Sequence, residues 1–226
     1  MKNSVYNVVI LDKSGSMIDM RHQAVGCVNE TFGSIRTAAK QNDGQSHFVT
    51  FVQFCNCGLH TIYKNTPIDE VKNISLKDFQ PCCGTPLYDA IGNVCTALHA
   101  KVKNDPTISV AVTIITDGYE NSSREFSAQS IKALIEAYKS EGWLFAYAGA
   151  NHDVESVAFN LAIDHHLQFE KTDDDIAKMS EAMAKGRMHW CARIQAGFND
   201  LCEDSSPEEI KISKQKASKN FFSKKI

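Results

Sequence analysis

Three oxygen-bearing side chains follow the apolar segment 5–11 at alternate positions: Asp12, Ser14 and Ser16. Residues two apart in an extended chain face the same side, so these three side chains can converge. Carboxylates and hydroxyls are hard oxygen ligands, which favour Mg²⁺, Mn²⁺ or Ca²⁺ over zinc or copper. The spacing therefore predicts a cation site directly after the first strand. Serines after a strand also serve as loop or helix-cap residues, and this alternative stays open for the motif alone.

Two further candidates lie far along the chain. Asp117 ends the apolar run ISVAVTIITDG, and Thr85 precedes a helical pattern in GTPL. We expect Thr85 to cap that helix, with Pro86 at its first position. Ligands of open α/β sheets bind beyond the carboxyl ends of the strands, and all three segments map to that edge. Taken alone, Thr85 is explained as a helix cap and Asp117, which precedes a glycine, as a turn residue.

The segments that must position these residues alternate between strands and helices. Apolar, β-branched runs predict the strands, and one of them follows the tight CNCG turn, which implies an antiparallel hairpin. Apolar stripes at helical spacing predict the helices, and TDDD at 172–175 opens the long last one. This order predicts an α/β fold: a doubly wound, mainly parallel sheet of about six strands, one of them an antiparallel edge strand, with helices on both faces.

The three motifs together resemble those of the von Willebrand factor A (VWA) domain family. DKSGSM matches the family's D-x-S-x-S motif, GTPL its metal-site threonine segment and ITDGYEN its second-aspartate segment, in the family's order. The resemblance covers roughly residues 4–200. It implies a Rossmann-like VWA fold with an intact metal-ion-dependent adhesion site (MIDAS), in a stand-alone, bacterial-type intracellular member of the family.

The resemblance also implies a role for each candidate residue. Ser14, Ser16 and Thr85 would supply hydroxyl oxygens to the ion, and Asp12 and Asp117 would act through bound water or enter the coordination shell. In this family an acidic group of a partner often completes the shell. The implied function is a Mg²⁺-dependent protein–protein interaction module rather than an enzyme, with Mn²⁺ or Ca²⁺ as alternative ions.

Two other functions use the same residues. Haloacid-dehalogenase-type phosphatases also place an aspartate after the first strand, which would make Asp12 the nucleophile of a Mg²⁺-dependent hydrolase. Those enzymes require a second acid two residues later, where this chain has Ser14, and the P-loop and G-x-S-x-G motifs are absent. The third alternative is a VWA-fold scaffold without a functional metal, which the five intact positions disfavour.

Composition narrows the class of partner. The 226 residues carry a formal net charge of -3, whereas nucleic-acid-binding domains are usually basic. The longest apolar runs are far shorter than the ~20 residues that span a bilayer. We therefore expect a cytoplasmic monomer that binds a protein, built from a VWA domain at residues 1–202 and a flexible tail at 203–226. The tail holds six lysines and four acids.

Four of the eight cysteines flank the predicted site: Cys55, Cys57, Cys82 and Cys83. The family resemblance requires none of them. They could bind zinc or another soft metal, or they could form a redox-sensitive disulfide. Their C-x-C and C-C spacings differ from the C-x₂-C pairs of common zinc sites, so free thiols are the expectation from sequence.

Overall fold

The computed structural model describes residues 3–150, 153–170, 172–201, 204–219 and 221, and these form one six-stranded sheet flanked by helices. The strands are β1 (Asn3–Asp12), β2 (Gln45–Cys55), β3 (Gly58–Pro67), β4 (Ile108–Thr116), β5 (Leu144–Ala150) and β6 (His165–Phe169). The helices are α1 (Arg21–Gln41), α2 (Leu87–Val102), α3 (Ala128–Ser140), α4 (Val154–Asn160), α5 (Asp173–Asn199) and α6 (Pro207–Ser218). The spatial order is β3-β2-β1-β4-β5-β6, and of these strands β3 alone runs antiparallel to its neighbour, which confirms the predicted fold class.

The central strand β1 is apolar on both faces because each face packs against helices. Val8 and Ile10 belong to the core shared with α2, α3 and α4, whereas Val9 and Leu11 belong to the core shared with α1 and α5. This alternation is the pleat of a strand buried on both sides. The strand ends where its apolar run ends, at the fully buried carboxylate of Asp12.

The topology brings several strand ends together. β1 pairs in parallel with β2 on one side, where Asp12 lies opposite Phe54, and in parallel with β4 on the other. The carboxyl ends of the three strands, at Asp12, Cys55 and Thr116, therefore share one edge of the sheet. The chain leaves β1 toward β2 and returns to β4 on the opposite side of β1, so this edge is the topological switch point where open α/β sheets bind ligands.

A buried arginine joins the long helix α5 to the sheet. The side chain of Arg187 is 1% exposed. Its Nη1 donates to Asn7 Oδ1 of β1 at 3.0 Å, and its Nη2 donates to Thr113 Oγ1 of β4 at 2.9 Å. The two strands that end at the candidate site are thus tied to the same turn of α5.

No helix in the described part of the chain is both long and apolar enough to cross a bilayer.

The C-terminal segment differs from the flexible tail expected at 203–226. Its described residues include α6, which begins with a capping box in which Ser206 and Glu209 each accept a hydrogen bond from the other's backbone amide. Ile210, Ala217 and Phe221 are buried together with the second half of α5. The expectation of a flexible tail is therefore wrong for α6, because its apolar face covers part of the core. Residues 203, 220 and 222–226 lie outside the described residues.

Polar contacts fix α6 in place as well. Lys214 is 8% exposed, and its Nζ donates to the carbonyl oxygens of Pro106 and Ile108 at 3.1 and 3.0 Å. On α5, Trp190 Nε1 donates to Ser218 Oγ at 3.2 Å. The lysine-rich composition that predicted a solvated tail thus includes one lysine that binds the backbone at the start of β4.

The antiparallel edge strand β3 is irregular. It carries two extra residues relative to β2, since its pairing shifts between Val49 and Phe51 and again between Phe51 and Val52. Asn65 lies at the first shift with a φ of 51°, and its backbone N donates to Thr50 Oγ1 at 3.0 Å. These shifts are β-bulges, which increase the local twist of the strand.

Candidate metal centre

Both carboxylate oxygens of Asp12 accept hydrogen bonds from neighbouring residues. Oδ1 accepts from the backbone N of Ser14 at 2.7 Å, and Oδ2 accepts from Thr116 Oγ1 at 2.6 Å. Burial raises the pKa of Asp12 to about 6, although the hydrogen bonds from Thr116 and Ser14 oppose the rise. A nearby cation would favour the charged carboxylate over the acid.

The two serines and the second aspartate form a continuous row of oxygens. Ser14 is extended, as the alternation requires, and its Oγ shares a hydrogen bond with Ser16 Oγ at 3.1 Å. Ser16 Oγ in turn donates to Asp117 Oδ1 at 2.7 Å. Residues 101 positions apart in the chain are therefore in direct contact at the edge of the sheet.

Thr85 completes the group. A Cβ placed on Gly118 would lie 3.6 Å from Ser16 Oγ and 3.8 Å from Thr85 Oγ1, so both hydroxyls face the same small space beside this glycine. Thr85 is 2% exposed and Asp117 4%. All five residues predicted from sequence thus lie together, and they offer two carboxylates and three hydroxyls. This donor set fits a hard cation of the Mg²⁺ class better than a soft one.

Thr85 does not have the capping role expected of it. Helix α2 begins at Leu87, its N-cap residue is Pro86, and no side chain of the cap residue bonds the helix. The first helical amides find acceptors elsewhere: Tyr88 N donates to Glu120 Oε2 at 2.9 Å, for example. With its capping function supplied by the loop after β4, the Thr85 hydroxyl is directed to the candidate site.

Two residues that sequence reasoning missed position this loop. Asn121 brackets the Thr85 peptide, because its Oδ1 accepts from Thr85 N at 2.8 Å and its backbone N donates to Thr85 O at 3.2 Å. The carboxylate of Asp89, in the first turn of α2, accepts from three successive amides at 2.8–2.9 Å: those of Arg124, Glu125 and Phe126. The sequence held a signal for each of them. Asp89 is an acid in the first turn of a helix, and Asn121 is the asparagine of DGYEN.

The rim of the site is partly apolar and exposed. Ile18, two residues after Ser16, is 56% exposed, and Tyr119, two residues after Asp117, is 55% exposed. A groove of about 380 Å³ opens between the end of β2 and the start of α2, and its lining includes Pro86. Large apolar side chains around a polar centre are typical of surfaces that contact other proteins.

Comparisons with known proteins support the fold. A von Willebrand factor type A protein from Catenulispora acidiphila matches with a TM-score of 0.57 and 17% identity over 83% of this chain and 43% of its own. The SpRpn10 VWA domain matches with a TM-score of 0.57 and 10% identity over 77% of this chain and 92% of its own. Proximal thread matrix protein 1 from the mussel byssus also matches, in a structure with a zinc-occupied MIDAS motif. The TM-score is 0.53, with 14% identity over 81% of this chain and 45% of its own.

These likenesses establish a VWA-like α/β fold and nothing finer, because the identities are low. The chain spans less than half the length of the first structures it matches. No protein-family model matches the chain, and no curated protein matches it either.

Proposed function

We propose that this VWA-like fold is a metal-dependent protein-interaction module. A Mg²⁺ ion held by Asp12, Ser14, Ser16, Thr85 and Asp117 would bind an acidic side chain of a partner protein. The observation that carries the proposal is the convergence of these five oxygen-bearing residues, from three distant segments, at the switch point of the sheet. When bound, the ion supplies a positive centre with exchangeable waters that a carboxylate can replace.

The residues around the site suit this role. The three hydroxyls are neutral, so an ion held largely by them keeps much of its positive charge for an acidic ligand. The exposed Ile18 and Tyr119 offer apolar contact to the residues that flank the partner's acid. The zinc-occupied MIDAS of the mussel protein supports metal binding by this fold, and Mn²⁺ or Ca²⁺ would suit the same oxygens. We propose that the partner is not a nucleic acid, as the net charge of -3 favours, and that the protein is cytoplasmic.

The phosphatase alternative has less support. Asp12 is 0% exposed, and both of its carboxylate oxygens accept hydrogen bonds from the chain itself. A nucleophile must reach its substrate, and the position where such enzymes carry their second acid is Ser14. We therefore do not propose catalysis.

We expect Mg²⁺ to stabilise the protein against heat. An ion present at about 100 times its dissociation constant adds roughly 2.7 kcal/mol to the free energy of unfolding. For a chain of this size the melting temperature should then rise by about 5–10 °C between EDTA and excess Mg²⁺. Asp12→Ala should lose the rise. Differential scanning calorimetry of both proteins in both buffers measures it.

A matched control separates the site from general effects of charge. Asp43 is exposed next to Gly44, which bonds the start of β1, so it lies at the opposite edge of the sheet. Asp43→Ala should keep the full response to Mg²⁺. Equal responses in Asp12→Ala and Asp43→Ala would contradict the metal site and favour a scaffold without a functional ion.

We expect binding of a partner to require both the ion and an acid. A random peptide library displayed on phage and selected in Mg²⁺ should yield binders that contain Asp or Glu. Changing that acid to its amide, adding EDTA, or using Asp12→Ala should each abolish binding. Selected peptides that bind equally well as amides, or in EDTA, would contradict the proposed mode of recognition.

A further inference from the structure

Four cysteines from two segments meet beside the candidate metal centre. Cys55 ends β2 and Cys57 follows in the turn to β3, whereas Cys82 and Cys83 come from the loop before α2. The closest sulfur pairs are Cys57–Cys83 at 3.2 Å, Cys55–Cys82 at 3.5 Å and Cys57–Cys82 at 3.7 Å. The sulfurs of Cys55, Cys57 and Cys82 all lie within 4.8 Å of one another.

These spacings match those of a metal–thiolate centre. Zinc binds cysteine sulfur at about 2.3 Å in a tetrahedron, so neighbouring sulfurs of such a site are about 3.8 Å apart. The three sulfur–sulfur distances, 3.2, 3.5 and 3.7 Å, are shorter than this value, so the sulfurs would need to move apart by less than about 1 Å to admit an ion. Three sulfurs already surround one point, and Cys83, in contact with Cys57, can supply the fourth ligand.

The backbone is shaped to bring the second pair onto the first. Cys83 adopts a left-handed conformation with a φ of 63°, which is uncommon for a residue other than glycine and persists where its surroundings enforce it. Three backbone hydrogen bonds hold the segment: Cys82 N to Lys13 O at 2.8 Å, Gly15 N to Cys83 O at 2.9 Å, and Asn56 N to Gly84 O at 3.2 Å. The loop is thus fastened both to the turn after β1 and to the turn that carries Cys57.

The remaining described cysteines behave differently. Cys27, Cys95 and Cys191 are buried singly among apolar side chains, where a thiol acts as a small hydrophobic group. In the cluster, Cys57 and Cys83 are exposed, Cys82 is partly exposed and Cys55 is buried, so solvent reaches the sulfurs from one side. An ion can therefore enter a site whose inner ligand is fixed at the end of a strand.

We propose that Cys55, Cys57, Cys82 and Cys83 bind one zinc ion. Thiolates select Zn²⁺ over Mg²⁺, so this site is chemically distinct from the oxygen site around Asp12. The proposal is independent of the interaction function, because it rests on different residues. It has a consequence for that function all the same: Cys82 and Cys83 bond the residues on either side of Ser14, and Thr85 follows two positions later. The zinc would thus hold in place two of the three segments of the oxygen site: the one that carries Ser14 and the one that carries Thr85.

The test measures metal content and spectrum in a background that lacks the oxygen site. Full-length Asp12→Ala, purified with a reductant, stripped with a chelator and titrated with ZnCl₂, should bind one zinc per chain, measured by elemental analysis after desalting. Titration with CoCl₂ should produce a sulfur-to-cobalt charge-transfer band with the strong visible absorption of tetrahedral cobalt. Adding Cys82→Ser or the exposed Cys57→Ser to this background should abolish both signals. Cys27→Ala, which removes a buried thiol elsewhere, should leave them intact.

Two results would overturn the proposal. One is zinc that persists in Cys57→Ser and Cys82→Ser but disappears in Asp12→Ala, since it would then belong to the oxygen site. The other is a chain that binds no zinc and that, isolated without air, contains a Cys57–Cys83 disulfide by mass spectrometry. Circular dichroism of each variant verifies that it is folded. Because Cys57 is exposed and Cys82 only partly so, Cys57→Ser should disturb folding less than Cys82→Ser.

Discussion

Removing residues 204–226 should lower the free energy of unfolding by about 3–6 kcal/mol, since each of Ile210 and Phe221 contributes about 1.5–3 kcal/mol by its complete burial. The melting temperature should fall by about 6–24 °C. Trp190 has no exposed surface in the intact protein and contacts α6, so its fluorescence emission should shift to longer wavelength. Thermal unfolding followed by tryptophan fluorescence measures both effects.

Point variants assign the effect to the buried apolar side chains of the C-terminal segment. Phe221→Ala should reproduce most of the loss in stability, because replacing a buried phenylalanine by alanine lowers the free energy of unfolding by about 3–5 kcal/mol. Ile212→Ala is the control, since Ile212 lies in the same C-terminal segment, on α6, and is 41% exposed. A truncated chain that melts like the full chain would show that α6 does not contribute to the core, as the sequence-based expectation of a flexible tail implies.

Arg187→Ala should be comparably destabilising, by about 3–5 kcal/mol, because it breaks a buried polar network and leaves a cavity. The guanidinium is 1% exposed, and its hydrogen-bond partners Asn7 and Thr113 are neutral. Removing it leaves both of these buried groups without their donor. Urea unfolding followed by circular dichroism gives the free energies to compare.

A second substitution separates the charge from the packing. Arg187→Met keeps most of the volume and removes the need to bury a cation, so it should cost less than Arg187→Ala. Lys185→Ala, two residues earlier on α5, is the control: its side chain is 61% exposed in a pair with Glu181, and such pairs contribute about 0–1 kcal/mol. Equal stabilities for Arg187→Ala and Lys185→Ala would mean that Arg187 does not tie α5 to the sheet.

Much of the sheet and of the candidate site was predictable because the signals are local or follow from topology. β1 and β4 are apolar on both faces, which is the pattern of central parallel strands, and each stops at a polar residue. Once these strands are parallel neighbours, their carboxyl ends must lie at one edge, and the five predicted residues meet there.

Two features were not predictable because distant residues decide them. Thr85-Pro86 has the local pattern of a helix start, but the amides of α2 find acceptors at Glu120 and beyond, 32 or more residues away. The segment that forms α6 is polar and lysine-rich, and the burial of its Lys214 depends on the distant carbonyl oxygens of Pro106 and Ile108, which accept from Nζ. Its capping box at Ser206 and the proline at its first position, Pro207, are local signs of a helix, but they give no information on where the helix docks.

The bulged edge strand has a consequence for behaviour at high concentration. A flat, regular β3 would present a row of unpaired backbone groups to which a strand of another copy could add. The two extra residues of β3 break that row and twist it, and the exposed Lys64 adds charge to the same stretch. Edge-to-edge aggregation is thereby disfavoured at the one margin of the sheet formed by an exposed antiparallel strand. We therefore expect static light scattering to report one chain per particle even in concentrated solution.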